Sequence, residues 1–378
     1  MAARGTDMPE QPTSMDMAPA PTARAGRRGV LAGVGLAGAA LSARLLVGEA
    51  GAQTLPLSKA PSAGDVAILR FLAAVELIEA DLWLQYAELG GVNSSTPNPY
   101  QQAFNRLDGD SGQYITSNTA DEQSHAQFLN AYLAAVGAEP VNLDKFRTLP
   151  SSKATGAQQI GRLTNLMQLS VDTSWYVRYR STTNPDFGET YPQALPALAA
   201  GQFTAIPRTD ADFAPSAHVQ AIANTAAFHF GAIEQFGSSL YASMSQRVSS
   251  PEALEITLGI GGDEICHFLE WVDFAGNGVQ PPVAPLTDPT NGLTFPNFIA
   301  QNNALIQPNL IFPVPCAFIS PDLPLCAVVR PITTAAVTAV DAINGFAASG
   351  LFIGQSEDFM SFALTLAARA DRAHRAAA

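Results

Sequence analysis

The chain has 378 residues, 47% of them hydrophobic and only 14% charged, enough apolar material for a sizeable core in one or two domains. Its formal net charge is -13. That acidity repels phosphates and no basic stripe interrupts it, which argues against nucleic acid as a partner.

Residues 1–52 read as a targeting segment instead of fold. Arg27-Arg28 precedes an uncharged stretch of small and apolar residues, Gly29 to Ala43, and Ala50-Gly51-Ala52 offers the small-x-small pattern of a cleavage site. The stretch is short and rich in Gly and Ala for a membrane span. The paired arginines resemble a bacterial twin-arginine export signal, which implies a periplasmic or extracellular protein with no membrane attachment after cleavage. Removing this segment takes away five Arg and four acidic residues, leaving 15 basic and 29 acidic side chains and a net charge of -14.

Pro56 to Gly64 reads as a linker. Asp65 to Leu89 has apolar residues at three- and four-residue steps, no Pro or Gly, and Gly90-Gly91 at its end, so it predicts a helix. A polar loop, Val92 to Pro99, leads to a second helix from Gln113 to Val136, stopped by Gly137 and Pro140. Ile160 to Arg180 is largely apolar and predicts an inserted helix. Asn184 to Pro215 reads as a long irregular stretch, of the kind that is functional or wraps a surface. Ala217 to Met244 predicts a third long helix. Ser250-Pro251-Glu252 supplies a capping hydroxyl, a first-turn Pro and an acid for a fourth, ending near Phe274 before Gly276-Asn277-Gly278. Val279 to Leu325, rich in Pro and Asn, is expected to wrap the bundle. Ala335 to Phe346 and Ser356 to Ala377 predict two closing helices. The expected organisation is an all-α four-helix bundle over residues 65–275, with an insert at about 145–215 and a C-terminal extension over 276–378.

Two Glu-x-x-His motifs carry the chemistry, Glu122/His125 and Glu264/His267, each preceded by an Asp, Asp121 and Asp263. Three residues along a helix place both side chains on nearly one face, one turn apart. Chance gives only about 0.2 such pairs at this composition. Each motif follows a helix with a Glu at a matching place: Glu76 with Trp83 seven residues later, Glu234 with Tyr241 seven residues later. Seven residues return to almost the same face, so the pattern is an internal two-fold repeat. Four carboxylates in an apolar bundle are costly unless cations or protons neutralise them, and two divalent ions balance four carboxylates. Mixed oxygen and nitrogen ligands suit iron or manganese better than zinc.

The arrangement resembles the ferritin-like di-iron carboxylate proteins. The local text Val75-Glu76-Leu77-Ile78-Glu79-Ala80 and Asp121-Glu122-Gln123-Ser124-His125-Ala126 looks like the exported ferritin-like group that includes desiccation-related proteins. The resemblance covers roughly residues 65–275. It implies Glu76 and Glu234 as terminal ligands, Glu122 and Glu264 as bridging ligands and His125 and His267 as terminal nitrogen ligands of two iron ions, with manganese as the alternative. Oxygen or peroxide would be the co-reactant, in ferroxidase, peroxidase or catalase-type chemistry. A second reading is a non-catalytic extracytoplasmic stress or desiccation-related protein with structural metal or none. A 24-subunit cage is not indicated; the insert and the extension are expected to cover the bundle or to form a small homo-oligomer.

Alternatives stay open at several positions. Glu79, one turn beyond Glu76, competes with it. Asp172 would replace Glu234 if the inserted helix belonged to the bundle. His218, His229 and His374 lack a matching carboxylate and read as surface or satisfied core histidines. Trp83, Tyr86 and Tyr241 read as core aromatics. Gly259-x-Gly261-Gly262 lies within a helix and reads as room for close helix packing, not as a phosphate loop. Cys316 and Cys326 are placed for a disulfide in an oxidising compartment, and Cys266 reads as a small buried residue.

Overall fold

A computed structural model describes residues 61–92, 97–178, 191–309, 315–320, 322–329 and 337–373. The expected targeting segment, His374 and the side chain of Cys316 lie outside the described residues, and with them the proposed disulfide. Cys316 and Cys326 do face each other in the register of one short hairpin.

The helices, in chain order, are α1 (Ala63–Gly90), α2 (Pro99–Asn105), α3 (Ser111–Ala135), α4 (Ser174–Arg178), α5 (Pro196–Ala200), α6 (Ser216–Ser245), α7 (Pro251–Asn277), α8 (Phe298–Gln301), α9 (Ala339–Ala348) and α10 (Glu357–Asp371). Two antiparallel hairpins, β1–β2 (Leu286–Thr287 with Thr294–Phe295) and β3–β4 (Pro315–Cys316 with Cys326–Ala327), lie in the C-terminal part. The four long helices form the expected all-α bundle: α1 packs on α3, and α6 on α7. No helix among the described residues is long and apolar enough to cross a membrane.

Local chemistry sets the helix ends. Ser62 accepts from the Asp65 amide while Asp65 accepts from the Ser62 amide, a reciprocal cap on α1. Asp65 also accepts from the amides of Ser249 and Ser250, which ties this end of α1 to the turn between α6 and α7. Ser250 caps α7, with Pro251 in its first turn. α2 is a short helix capped by Asn98 within what the sequence suggests is loop.

Contacts fix the helix directions. Along α1 and α3, Trp83 meets Thr119 and Arg70 meets Glu139; along α6 and α7, Ser245 meets Thr257 and Asn224 meets Gly278. Both pairs are therefore antiparallel. So are α1 and α6, since Tyr241 reaches Glu76 and His229 reaches Tyr86. Helices α3 and α6 consequently run the same way, and the chain between them must traverse the bundle. A single long crossover of this kind is a recognised route for a four-helix bundle.

Of the inserted helix expected over Ile160–Arg180, only α4 is helical among the described residues. The amides of the segment find acceptors elsewhere. Leu163 and Thr164 donate to Asp81 of α1 at 2.9 and 3.0 Å, Arg162 pairs with Leu149, Leu169 with Phe203, and Asn165 and Ser170 donate to Leu351 and Ser349. Its continuous apolar character reflects burial on several sides, not one helical face, and a periodicity argument does not separate the two. Arg162, fully buried, bonds Glu88 at 2.6 Å and so pins the crossover to α1 a second time. Trp175 of α4 presses on α6 where Gly231 has no side chain; a Cβ there would lie 2.4 Å from the indole.

Parts of the C-terminal extension lie against the bundle. Phe295 and Phe298 reach Phe228 and Tyr176, while α10 packs on α1 and α9. His218 is buried between Asp212 and Asp288, at 3.2 and 2.8 Å, in agreement with a satisfied core histidine. Burial pushes the Asp212 carboxyl up, but bonds from Arg208 and His218 outweigh it and hold it at about 2, below the ordinary 3.8. The stability this group contributes is complete above the ordinary value and lost as pH falls through about 2. Acid titration of the fold by circular dichroism should therefore show less loss of stability between pH 4 and 2 in Asp212→Asn than in the native chain, with the variant already weaker at pH 7.

Candidate metal centre

The six side chains singled out in the sequence meet at the bundle's centre. Glu76, Glu122, Glu234 and Glu264 are each at most 1% exposed, and His125 and His267 are 7% exposed. Glu76, Glu122, His125 and Glu264 form one group whose ligand atoms lie within 4.8 Å of one another. Glu122, Glu234, Glu264 and His267 form a second. Glu122 and Glu264 are common to both groups, while each of the other four belongs to one.

Each helix contributes as its spacing requires. His125 Nδ1 faces inward, 3.4 Å from both Glu76 and Glu122 and 3.7 Å from Glu264. His267 Nδ1 lies 3.2 Å from Glu122 and 3.4 Å from Glu234. The outer nitrogens reach across the bundle: His125 Nε2 meets Asp263 at 3.2 Å and His267 Nε2 meets Asp121 at 3.4 Å. The Asp before each motif thus holds the imidazole of the other motif. A proton kept on Nε2 by the Asp leaves the Nδ1 lone pair directed inward, the arrangement that orients a metal-binding histidine.

Further bonds steady the carboxylates. Asn118, one turn before Glu122, donates to Glu122 Oε1 at 2.8 Å and itself accepts from Trp271 Nε1 at 2.7 Å. The Tyr241 hydroxyl donates to Glu76 Oε1. Trp83 stacks on Trp271, with ring centroids 5.5 Å apart, and Phe230 packs against both rings, so one end of the site is closed by aromatic surface.

The electrostatics are those of anions crowded out of water. Burial, then the charge on Glu234, pushes Glu122 up to about 7. Burial and the neighbouring carboxylates drive Glu264 and Glu79 upward as well. Burial would depress the two imidazoles, but bonds to Glu122 and Glu76 hold His125 up at about 10, and the charge of Glu234 with bonds to Asp121 and Glu122 raises His267. Without another cation, protons supply the neutralisation. Several inner oxygens make no well-aligned hydrogen bond: Glu76 Oε2, both of Glu234 and Glu264 Oε1, the nearest groups being the imidazole Nδ1 atoms 3.4 Å from Glu76 Oε2 and Glu234 Oε2. Buried polar atoms are normally paired, so orphaned carboxylate oxygens converging beside two inward imidazole nitrogens fit a pair of metal ions.

Asp172 is exposed and bonded to Ser174 and Gln193, away from the cluster. Glu76 belongs to the cluster, and Glu79 is buried beside it. His229 is buried and bonds the Tyr86 hydroxyl at 2.7 Å. Cys266 is exposed, contrary to the expectation of a small buried residue, because the face of α7 that carries it points away from His267's side of the helix. In the glycine run only Gly261 serves close packing: a Cβ there would sit 2.8 Å from Tyr241, whereas Gly259 and Gly262 face open space.

Sequence reasoning did not assign Asp121, Asp263, Asn118 or Gly237 a role. The repeated Asp before each motif was the available signal for the first two. Gly237 gave none: on α6 it leaves the space that Glu264 fills, and a Cβ would lie 2.3 Å from Glu264 Oε2. Gly237→Ala should therefore displace that carboxylate and lower metal retention after dialysis by at least about tenfold, while the circular dichroism spectrum stays helical.

The ferritin-like domain model matches residues 64–268, 205 of the 378 residues. No curated protein and no solved structure matches the chain.

Proposed function

The chain belongs to the ferritin-like domain family, and from that premise we propose that it holds a two-metal centre of iron or manganese and works as an oxidoreductase on oxygen or peroxide. The observation that carries the reading is the convergence of orphaned carboxylate oxygens and two inward Nδ1 atoms in a buried cluster. Glu76 and His125 would hold one ion, Glu234 and His267 the other, and Glu122 and Glu264 would serve both. Such a pair, when bound, supplies the electrons for reduction of oxygen or peroxide.

The protein's own residues prepare that chemistry. Asp121 and Asp263 keep the imidazoles in one tautomer and orientation. Asn118 and the Tyr241 hydroxyl each hold Oε1 of a carboxylate, Glu122 and Glu76, while the Oε2 of each faces His125 Nδ1. Trp83, Phe230 and Trp271 keep water from one end. Asp121 and Asp263, whose side chains are 42% and 43% exposed, mark the side from which a cation or small oxidant can approach. Their negative charge favours cations there.

The test is elemental analysis of the chain produced with iron and manganese, beside a Glu122→Ala/His267→Ala variant. About two ions per native chain are expected, with little in the variant; equal metal in both sinks the reading. Fe(II) added to the native protein should then drive uptake of oxygen or peroxide. Loaded protein that consumes neither would instead favour the non-catalytic stress or desiccation-related reading, with metal as a structural staple.

The paired Arg27-Arg28 and the apolar stretch after them support export by the twin-arginine route. Replacing both arginines with lysine should retain the full-length chain in the cytoplasmic fraction of a bacterial host, whereas the native chain should be found, shortened, outside it. Identical fractionation of the two would remove that part of the proposal.

A further inference from the structure

Glu79 stands outside the six-residue set, yet it is a buried carboxylate with no partner of its own. It is 1% exposed, and neither of its oxygens makes a hydrogen bond. It lies one helical turn beyond Glu76, so both project from nearly one face of α1. The register places it along the centre: Tyr241 of α6 meets Glu76, and His229 meets Tyr86, so moving from Glu76 to Glu79 moves from the level of Tyr241 toward that of Glu234. Its neighbouring charges are those of Glu76, Glu122, Glu234 and His267; its oxygens stand outside both groups of converging ligand atoms and, with no hydrogen bond to break, can turn toward them.

The internal repeat gives this position its meaning. Glu76 and Trp83 of α1 correspond to Glu234 and Tyr241 of α6. The counterpart of Glu79 is then Gly237, whose missing side chain leaves space occupied by Glu264. One half of the repeat offers an extra carboxylate where the other offers nothing.

This inference rests on the two-metal reading above. We propose that Glu79 is a fifth carboxylate of the centre, an additional oxygen ligand on the side of Glu234 and His267, which makes the two metal positions unequal. The Glu234/His267 position then binds more tightly, and the Glu76/His125 position keeps the freer coordination. A fifth negative charge also matches a metal pair carrying one more positive charge than two divalent ions. A buried carboxylate without partners is otherwise a cost with no return to folding.

Mn(II) serves as the probe. The full chain is stripped of metal with a chelator and titrated anaerobically, with free Mn(II) followed by its paramagnetic resonance signal. The native chain should take up two ions in two unequal steps. Glu79→Gln should weaken the tighter step by at least about tenfold, drawing the two steps together, and Glu79→Asp should fall between. Thermal unfolding of metal-free Glu79→Gln should occur no lower than in the native chain, since the carboxyl replaced makes no hydrogen bond there. If Glu79→Gln unfolds, Glu79→Asp decides on the same criterion. Folded variants whose two steps stay within twofold of native, while Glu122→Ala loses both, overturn the role of Glu79 and leave the two-metal centre standing. Failure of the native chain to bind Mn(II) more tightly than Glu122→Ala overturns both.

Discussion

Five carboxylates, Glu76, Glu79, Glu122, Glu234 and Glu264, are each at most 1% exposed in the centre of this bundle. Taking that much negative charge out of water is the constraint to which the rest of the structure answers, since an isolated buried carboxylate is too costly to remain ionised. Two imidazoles face the group, one phenol and one amide donate into it, and two aspartates stand behind the imidazoles. These contacts leave several oxygens unanswered. Side chains alone do not complete the balance, and protons or metal ions must.

The same constraint shapes the scaffold. Carboxylates from four helices converge only if the helices are held in fixed register along their length. Gly261 lets α7 close on Tyr241, and Gly237 lets Glu264 lie against α6. The crossover from α3 to α6 adds rigidity from outside. Asp81 receives the amides of Leu163 and Thr164 and the guanidinium of Arg147, while Glu88 receives Arg162. Both anchors are on α1, one and three turns past Glu76 and on its outer side, so the segment that returns the chain also braces the helix bearing Glu76 and Glu79.

Much of this was legible in the sequence because helices and their ligands are periodic. The four long helices follow from three- and four-residue steps and from end signals such as Ser250-Pro251-Glu252 and Gly90-Gly91. The convergence of Glu122, His125, Glu264 and His267 follows from a three-residue spacing that can only be one face of a helix. The segment Ile160–Arg180 was misread because its apolar side chains are buried without a helix, with its backbone paired to α1, to Phe203 and to the C-terminal turn at Ser349–Leu351. Those partners lie tens to hundreds of residues away, and no local pattern encodes them. Asp121 and Asp263 were visible as a repeat, but their crossed pairing with the opposite motif's histidine depends on how α3 and α7 face each other, which spacing alone does not give.

The repeat itself shows where likeness ends. A duplicated helix pair would, by symmetry, build two equal halves around a shared centre, and the ligand-bearing positions keep that equality. The departures fall one and two turns beyond the first Glu of each half. Gly237 holds the place in the second half that Glu79 holds in the first, and Tyr241 the place of Trp83. Tyr241 gives a hydrogen bond to Glu76 across the bundle, whereas the Trp83 ring stacks on Trp271 and its Nε1 bonds nothing. One half is thus braced by a polar contact and the other by aromatic packing, with an extra carboxylate on α1 only. Equal metal positions would need equal surroundings, and these residues make the surroundings unequal by charge, by hydrogen bonding and by the room left for a carboxylate to turn. The asymmetry is therefore a property of the folded chain before any ion is bound.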